Sequence, residues 1–209
     1  MRELLDVGAG ERMAREDYLA EFWHQFWKVD SLGFWKLERQ QHFREPGYDV
    51  WEAFARGNWD ESLRLLEVDR AKMAAEHRRM NEQGVKIWWV RVVEQPLTAY
   101  LQWNLRVLRV REQCGSGVRV VGPQEVAPME ATQPLPELVT LGTAVMYELL
   151  YDRSGTLEGA RRYTDPQLIV RCQRVLADLY AAGEPLRDYF LREVAGLPAP
   201  VEPWQAPLS

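Results

Sequence analysis

The feature that most constrains the fold is an apolar run, VKIWWVRVV, at residues 85–93. Apolar side chains occupy both alternating sets of positions, as in a strand that helices cover on both faces of a sheet. Pro96 follows after EQ, and proline suits the first turn of a helix because its missing N–H has no partner there. We therefore predict a central strand followed by a helix that begins at Pro96. A second strand, VRVV, is predicted after GSG, parallel to the first.

Patterns on both sides of this unit predict the other elements. A helix with an N-cap at Asp17 is predicted from an aromatic stripe, which consists of Leu19, Phe22, Trp23, Phe26 and Trp27. FWKLE predicts a short strand, and Asn58 with Glu61 three residues later predicts the start of a long helix that ends near Gln83. LVTL, AVMYELLYD and LEGARRY predict a three-strand meander. Asp165 and a following proline predict the start of another helix.

This element order predicts an α/β protein, with α+β as the alternative, in which helices flank a small mixed sheet. A length of 209 residues suits one core. We expect a single domain over residues 1–196, with a mainly helical part at 11–84 and a sheet-containing part at 85–196. The proline-rich stretch at 122–136 predicts a loop or flexible lid, and residues 197–209 predict a flexible tail.

The composition excludes several classes of function. The net charge is −5 and the pI is near 5.4, whereas duplex DNA and anionic membranes select basic surfaces. No apolar run is long enough to span a bilayer, and the N-terminus does not match a secretory signal. Cys114 and Cys172 have neither metal-ligand spacing nor a disulfide pattern. We therefore expect a cytoplasmic protein that uses no metal or cofactor and binds neither membranes nor, directly, nucleic acid.

The catalytic motifs that this chain suggests are incomplete. LLDVGAG places Gly8 and Gly10 as in a nucleotide-binding loop, but Met13 occupies the third glycine position. We therefore interpret the stretch as a turn before the aromatic helix. GSG at Ser116 lacks the outer glycine spacing of a nucleophile elbow. The three histidines are scattered over separate predicted elements, and they are His24, His42 and His77.

The most informative candidate is Arg91, because alternation places its charge among apolar side chains of the central strand. Such a charge needs a partner or a cavity. One hypothesis is a structural ion pair with a glutamate such as Glu38 or Glu148. The other is that Arg91, the Thr98 hydroxyl and the N–H groups of the following helix converge on an anion, either a carboxylate or a phosphate. The remaining candidate ligand-binding residues are Tyr100, Trp103 and Arg119.

Three segments carry a resemblance to a known family, and they read FWKLERQQHF, VRVVEQPLTAYLQW and YDRSGTLEGARRYTDP. They resemble an actinobacterial domain family of unknown function, commonly encoded beside helix-turn-helix regulators, over roughly residues 11–195. The R-V-V-x-x-P-L-T-x-Y run is the most specific piece. The resemblance implies a fold similar to one repeat of phospholipase D. It does not imply that chemistry, because the H-x-K motif is absent: the three sites read HQF, HFR and HRR.

This chain also departs from the family's pattern. Asn104 stands where many members carry glutamate, and Gly115, Ser116 and Gly117 stand where G-E-D is common. These differences remove negative charge. They would change the partner of Arg91 if that partner in the family is a glutamate.

We therefore predict a non-catalytic regulatory or partner-binding module whose partner is a helix-turn-helix regulator. The alternative is an enzyme that acts on a small phosphate or carboxylate ligand at the junction around Arg91 and Thr98, with Glu38 as acid or base. The sequence leaves the oligomeric state open.

Overall fold

The structure is a computed structural model that describes residue 5 and the ranges 10–29 and 32–200. A mixed β-sheet with helices on both faces forms its centre, so the predicted α/β class is confirmed. In the described ranges the strands are β1 (Glu11–Ala14), β2 (Phe34–Glu38), β3 (Ile87–Val92), β4 (Gly117–Val121), β5 (Glu137–Leu141), β6 (Val145–Tyr151), β7 (Leu157–Tyr163) and β8 (Glu184–Pro185). The helices are α1 (Arg15–Phe26), α2 (Asp49–Ala55), α3 (Trp59–Glu82), α4 (Ala99–Cys114), α5 (Pro123–Val126), α6 (Pro166–Ala182) and α7 (Leu186–Glu193).

The strands are arranged in the order β1-β7-β6-β5-β2-β3-β4-β8. The β2, β3 and β4 strands run parallel, and the other neighbours pair antiparallel. The predicted parallel pairing of β3 with β4 and the predicted β5-β6-β7 meander are therefore confirmed. The mainly helical segment 11–84 also contributes two strands, β1 and β2, to this sheet.

The β3 strand lies inside the sheet and is covered on both faces, as its sequence predicted. On one side, here called the back face, Val90 and Val92 pack with α6. On the other side, the front face, Trp89 packs with α4 and α7. On β2, β5 and β6, front-face side chains such as Phe34 and Tyr147 pack against α1 and the end of α3. The front face therefore carries several helices, between which clefts can form.

Helix boundaries follow capping groups where the sequence provides them. The Asn58 side chain accepts a hydrogen bond from the Glu61 N–H, and the Asp165 side chain accepts one from Gln167, as predicted. The predicted start at Asp17 is wrong because α1 begins at Arg15, directly after the pairing of β1 with β7. The predicted start at Pro96 is also wrong.

In place of Pro96, the Thr98 hydroxyl caps α4. Its Oγ1 accepts a hydrogen bond from the Leu101 N–H at 3.1 Å, and the helix begins at Ala99. A side-chain cap satisfies a free N–H group that proline cannot. The capping interaction therefore sets the boundary, three residues after the proline.

The 122–136 segment is partly helical, which corrects the prediction of a loop. It contains α5 and a 3₁₀ turn at Ala127–Met129. Arg39 then holds Glu130 through two hydrogen bonds of 2.6 and 2.9 Å. This bidentate pair connects the segment to the end of β2.

Gly10 packs closely against β7. A Cβ atom there would lie 2.3 Å from Arg161 Cγ and 2.7 Å from Tyr163 Cζ. This close packing accounts for the glycine at position 10, so a nucleotide-binding role is not needed to explain it. Gly8, the other glycine of LLDVGAG, lies outside the described residues.

Two further findings concern the described part of the chain as a whole. None of its helices combines the length and the apolar character that crossing a bilayer requires. Within the same ranges no group of three or more His, Cys, Asp or Glu side chains is arranged to hold a metal ion, and both cysteines are free thiols.

Candidate functional site

A cleft of about 550 Å³ opens on the front face of the sheet, between α1, the connection after β2, and α4. We call it the polar cleft and define it by six lining residues: Lys36, Glu38, Glu45, Trp89, Asn104 and Arg111. Its volume lies in the range of small-molecule sites. Aromatic side chains complete the wall, and they are Trp23, Phe43, Tyr48 and Tyr151.

Arg91 lies beneath this cleft, with 0% of its surface exposed. Its Nε lies 3.6 Å from Glu38 Oε2 and donates a hydrogen bond to Asn104 Oδ1 at 3.0 Å. Its Nη1 donates to the carbonyl oxygens of Glu38 and Val92. The predicted ion pair with Glu38 is therefore confirmed. Glu148, the other partner considered, pairs with Arg161 on the back face.

The other residues of the predicted junction have separate roles. The Thr98 hydroxyl caps α4 and also donates to the Gln41 carbonyl oxygen at 3.2 Å. Trp103 is fully buried, and its Nε1 donates to Ser62 Oγ. Arg119 pairs in register with Val90, so it points to the back face, where it donates to the Gly183 carbonyl oxygen. The structure therefore brings Glu38 and Tyr100 to Arg91, but not Arg119, and it uses the Thr98 hydroxyl as a helix cap.

Tyr100 connects Arg91 to the cleft through a chain of hydrogen bonds. Asn104 accepts from Arg91 and donates from Nδ2 to the Tyr100 hydroxyl at 3.3 Å. Tyr100 in turn donates to Glu45 Oε1 at 2.9 Å. The chain fixes the orientation of Glu45, which otherwise belongs to an irregular connection.

Glu38 and Glu45 line the same cleft but differ in protonation behaviour. Burial favours the neutral form of Glu38, yet the charges of Lys36, at 2.8 Å, and Arg91 outweigh burial and lower its pKa. Burial raises the pKa of Glu45, and the negative charge of Glu38 raises it further. The cleft therefore holds one carboxylate that stays ionised and a second that retains its proton more readily.

Arg15 and Arg44 also line the cleft but are exposed, whereas Arg111 is a half-buried cation. Among the described residues its guanidinium makes no hydrogen bond and no ion pair within 4 Å, and it lies 5.8 Å from the centre of the Trp89 ring. Lys36 lies over the same ring at 4.4 Å, but Glu38 neutralises it. Arg111 is thus available to an anion that enters the cleft.

Four polar atoms in and beneath the cleft are buried without a hydrogen-bond partner in the described part of the chain: Glu38 Oε2, Tyr48 Oη, Trp89 Nε1 and Arg91 Nη2. Buried polar groups are satisfied in most proteins because an unmade hydrogen bond costs about 1–3 kcal/mol. A concentration of such atoms at one cleft is typical of a binding site rather than of a packed core.

Sequence reasoning missed Arg111, Glu45 and Lys36. In the sequence, Arg111 follows Arg106 and Arg109 in a basic segment, and such segments are usually solvated faces. A signal was present, since Tyr100, Asn104 and Arg111 recur at helical spacing on one face of α4. No comparable signal marks Glu45, because the connection after β2 has no periodic pattern.

Fold and site together define an α/β protein with a polar cleft of about 550 Å³ on one face of its sheet. The model of one family, described as a domain of unknown function (DUF6879), matches residues 20–191. The chain therefore belongs to the DUF6879 family. No curated protein matches the sequence.

Proposed function

We propose that this domain binds a small organic anion in the polar cleft and acts without catalysis as a ligand-responsive module. The observation that carries the proposal is Arg111, a half-buried cation that lacks an anionic partner in the described part of the chain. The buried Trp89 ring lies beneath it, and buried hydrogen-bonding atoms lie close by. Apolar walls with a few convergent polar groups are the usual composition of such sites.

The partner we propose for this module is a helix-turn-helix regulator. Its support is the resemblance carried by the R-V-V-x-x-P-L-T-x-Y run at residues 91–100, together with the acidic charge of the chain, which favours action through a regulator rather than on DNA itself. The actinobacterial source and the phospholipase-D-like fold belong to the same proposal. Affinity capture with the regulator encoded beside the gene tests the partner, and failure to bind at physiological salt would remove it.

An enzyme acting on the same anion is the second candidate. It is favoured by the opposed protonation of Glu38 and Glu45 in one cleft, an arrangement that general acid and base residues require. The Arg91 and Thr98 junction supports it less, because both side chains make internal hydrogen bonds.

Calorimetric titration with benzoate, and with neutral benzamide as a control, tests the binding proposal at constant ionic strength. We expect benzoate to bind and benzamide to bind at least tenfold more weakly. Arg111→Gln should weaken benzoate by about tenfold or more, because a hydrogen bond to a charged group is lost. Arg109→Gln removes the same charge from the same helix, but Arg109 pairs with Glu112 outside the cleft, so this variant should bind as the wild type does.

Two results would contradict the proposal: absence of benzoate binding to the wild type, or equal weakening by both arginine variants. Incubation with phenyl phosphate, followed by mass spectrometry, separates the two candidates. Unchanged phenyl phosphate supports a binding module, and its hydrolysis by water to phenol and phosphate supports the enzyme.

A further inference from the structure

A second cavity, of about 310 Å³, adjoins the polar cleft beneath α1. We call it the aromatic cavity and define it by Phe22, Phe26, Phe34, Met80, Ile87 and Val139. The two spaces share wall residues, among them Trp23, Lys36, Trp89 and Arg111. The two spaces are therefore adjacent, and Arg111 borders both of them.

The walls of the aromatic cavity are apolar where they face α1 and the sheet. Phe22, Phe26 and Phe34 contact one another mainly edge to face or tilted, with ring centres 5.5–6.4 Å apart. Such walls favour hydrocarbon over charged groups.

Two polar side chains in the wall satisfy each other. The His77 Nε2 and Ser116 Oγ atoms are 2.6 Å apart, and the His77 Nδ1 atom lies 2.9 Å from the Met73 carbonyl oxygen. Burial lowers the pKa of His77, so its ring is neutral at neutral pH and adds no charge to the cavity. Because these two side chains satisfy each other, the ligand needs no polar group to bond with them.

Two cations lie at the boundary between the two spaces, and the half-buried Glu76 lines the aromatic cavity but not the polar cleft. Arg111 and Lys36 both line the cleft and the cavity, and both lie against the Trp89 ring. An acid group held there would point an attached chain toward Phe34 and Ile87. Trp23, which is 54% exposed, lines both spaces and is positioned at their rim.

From this arrangement we infer that the ligand is an amphiphilic carboxylate, with its acid group at Arg111 and its apolar tail in the aromatic cavity. The inference rests on the proposed function, because it uses the same arginine as the anion site. It adds the class of ligand: a carboxylate with a hydrocarbon tail rather than a small hydrophilic anion.

A series of butyrate, hexanoate and octanoate tests the inference by calorimetry on the full chain at constant ionic strength. Each methylene that enters the cavity should tighten binding about three- to fourfold, so octanoate should bind on the order of a hundredfold more tightly than butyrate. Octanol, which has the tail without the charge, should bind more weakly than octanoate.

The variant Ile87→Phe tests whether the ligand's tail enters the aromatic cavity. Ile87 is partly buried and lines the aromatic cavity but not the polar cleft, so a phenyl ring there should narrow the space. We expect the gain from butyrate to octanoate to fall below tenfold while butyrate affinity is unchanged. Val175→Phe enlarges a partly buried side chain on the back face and should keep the full gain.

The outcomes separate the inference from the proposal on which it rests. If butyrate binds but affinity does not rise with chain length, the tail does not enter the cavity, and this inference alone is overturned. If no carboxylate of any length binds the wild type, the anion site itself is overturned. The wild-type series requires no variant, so misfolding of Ile87→Phe cannot obscure the result.

Discussion

Where β2, β3 and β5 lie side by side, the two faces of the sheet bury different kinds of side chain. On the back face, Leu37, Val90 and Leu138 form an aliphatic layer under α6. On the front face, neighbouring positions of the same strands hold Glu38, Arg91 and Glu137, all buried. The alternation of strand side chains produces this contrast, because consecutive residues point to opposite faces.

The contrast distinguishes a face that stabilises the fold from a face that carries the candidate site. The aliphatic layer of the back face needs only shape and hydrophobicity, and the buried Glu148 beside it is neutralised by Arg161 at 2.8 Å. The front face accepts the cost of buried charge and of four unpartnered polar atoms next to an open cleft. Proteins retain buried charged groups mainly at functional sites. The buried charges therefore indicate that the functional site lies on the front face.

The largest effect is expected from Arg91→Met. This change removes one of the two cations beside the buried Glu38 carboxylate, and it removes the donor from Asn104 Oδ1 and from two carbonyl oxygens. We expect the free energy of unfolding to fall by about 3–5 kcal/mol, measured by urea denaturation.

Two further variants sharpen that result. Adding Glu38→Leu to Arg91→Met removes the carboxylate that has lost this cation and should recover part of the loss. Ile169→Val, in the aliphatic layer of the back face, should cost only about 0.5–1.5 kcal/mol. If Arg91→Met costs no more than Ile169→Val, the front face does not depend on its charge network.

A smaller, pH-dependent effect is expected from Glu137→Gln. Burial, followed by repulsion from Glu38, raises the pKa of Glu137 to about 7. Between its unfolded pKa and about pH 7 the folded state holds more protons, so this carboxyl lowers stability as the pH rises through that window. Glutamine cannot ionise, and it keeps an acceptor for the Arg39 and Gln40 N–H groups.

Above pH 7 we therefore expect Glu137→Gln to be more stable than the wild type by about 1–3 kcal/mol, relative to their difference at pH 5. Thermal unfolding across pH 5–8 measures this. Glu158→Gln, which removes an exposed carboxylate, should show no such trend. A parallel pH dependence of Glu137→Gln and the wild type would show that Glu137 ionises normally.

Local sequence patterns predicted much of the fold but only the buried part of the site. The strand at 85–93 was predictable because its apolar run fits a strand covered on both faces, and Arg91 stood out within it. The caps at Asn58 and Asp165 were predictable because each acts within three residues along the chain. The pairing of Arg91 with Glu38 was one of two alternatives, and only the register of β2 with β3 decides between them.

The rest of the site depends on tertiary packing. Arg111 has the spacing of an exposed basic stripe, and only the position of α4 over Trp89 turns it toward the cleft. Glu45 lies in a connection whose path is set by contacts distant in sequence, including Tyr100. The start of α4 was misplaced because a proline signal and a threonine cap competed over three residues, and the threonine made the hydrogen bond.

The most direct test of the central claim, that the front face binds a small organic anion, compares tryptophan indole resonances on the two faces. In a benzoate titration followed by ¹H–¹⁵N spectra, with assignments from Trp→Phe variants, we expect Trp89 and Trp23 to shift saturably. Trp35 and Trp88, whose rings stack 4.6 Å apart on the back face, should not shift. Stationary Trp89 and Trp23 resonances, or equal shifts on both faces, would contradict the account.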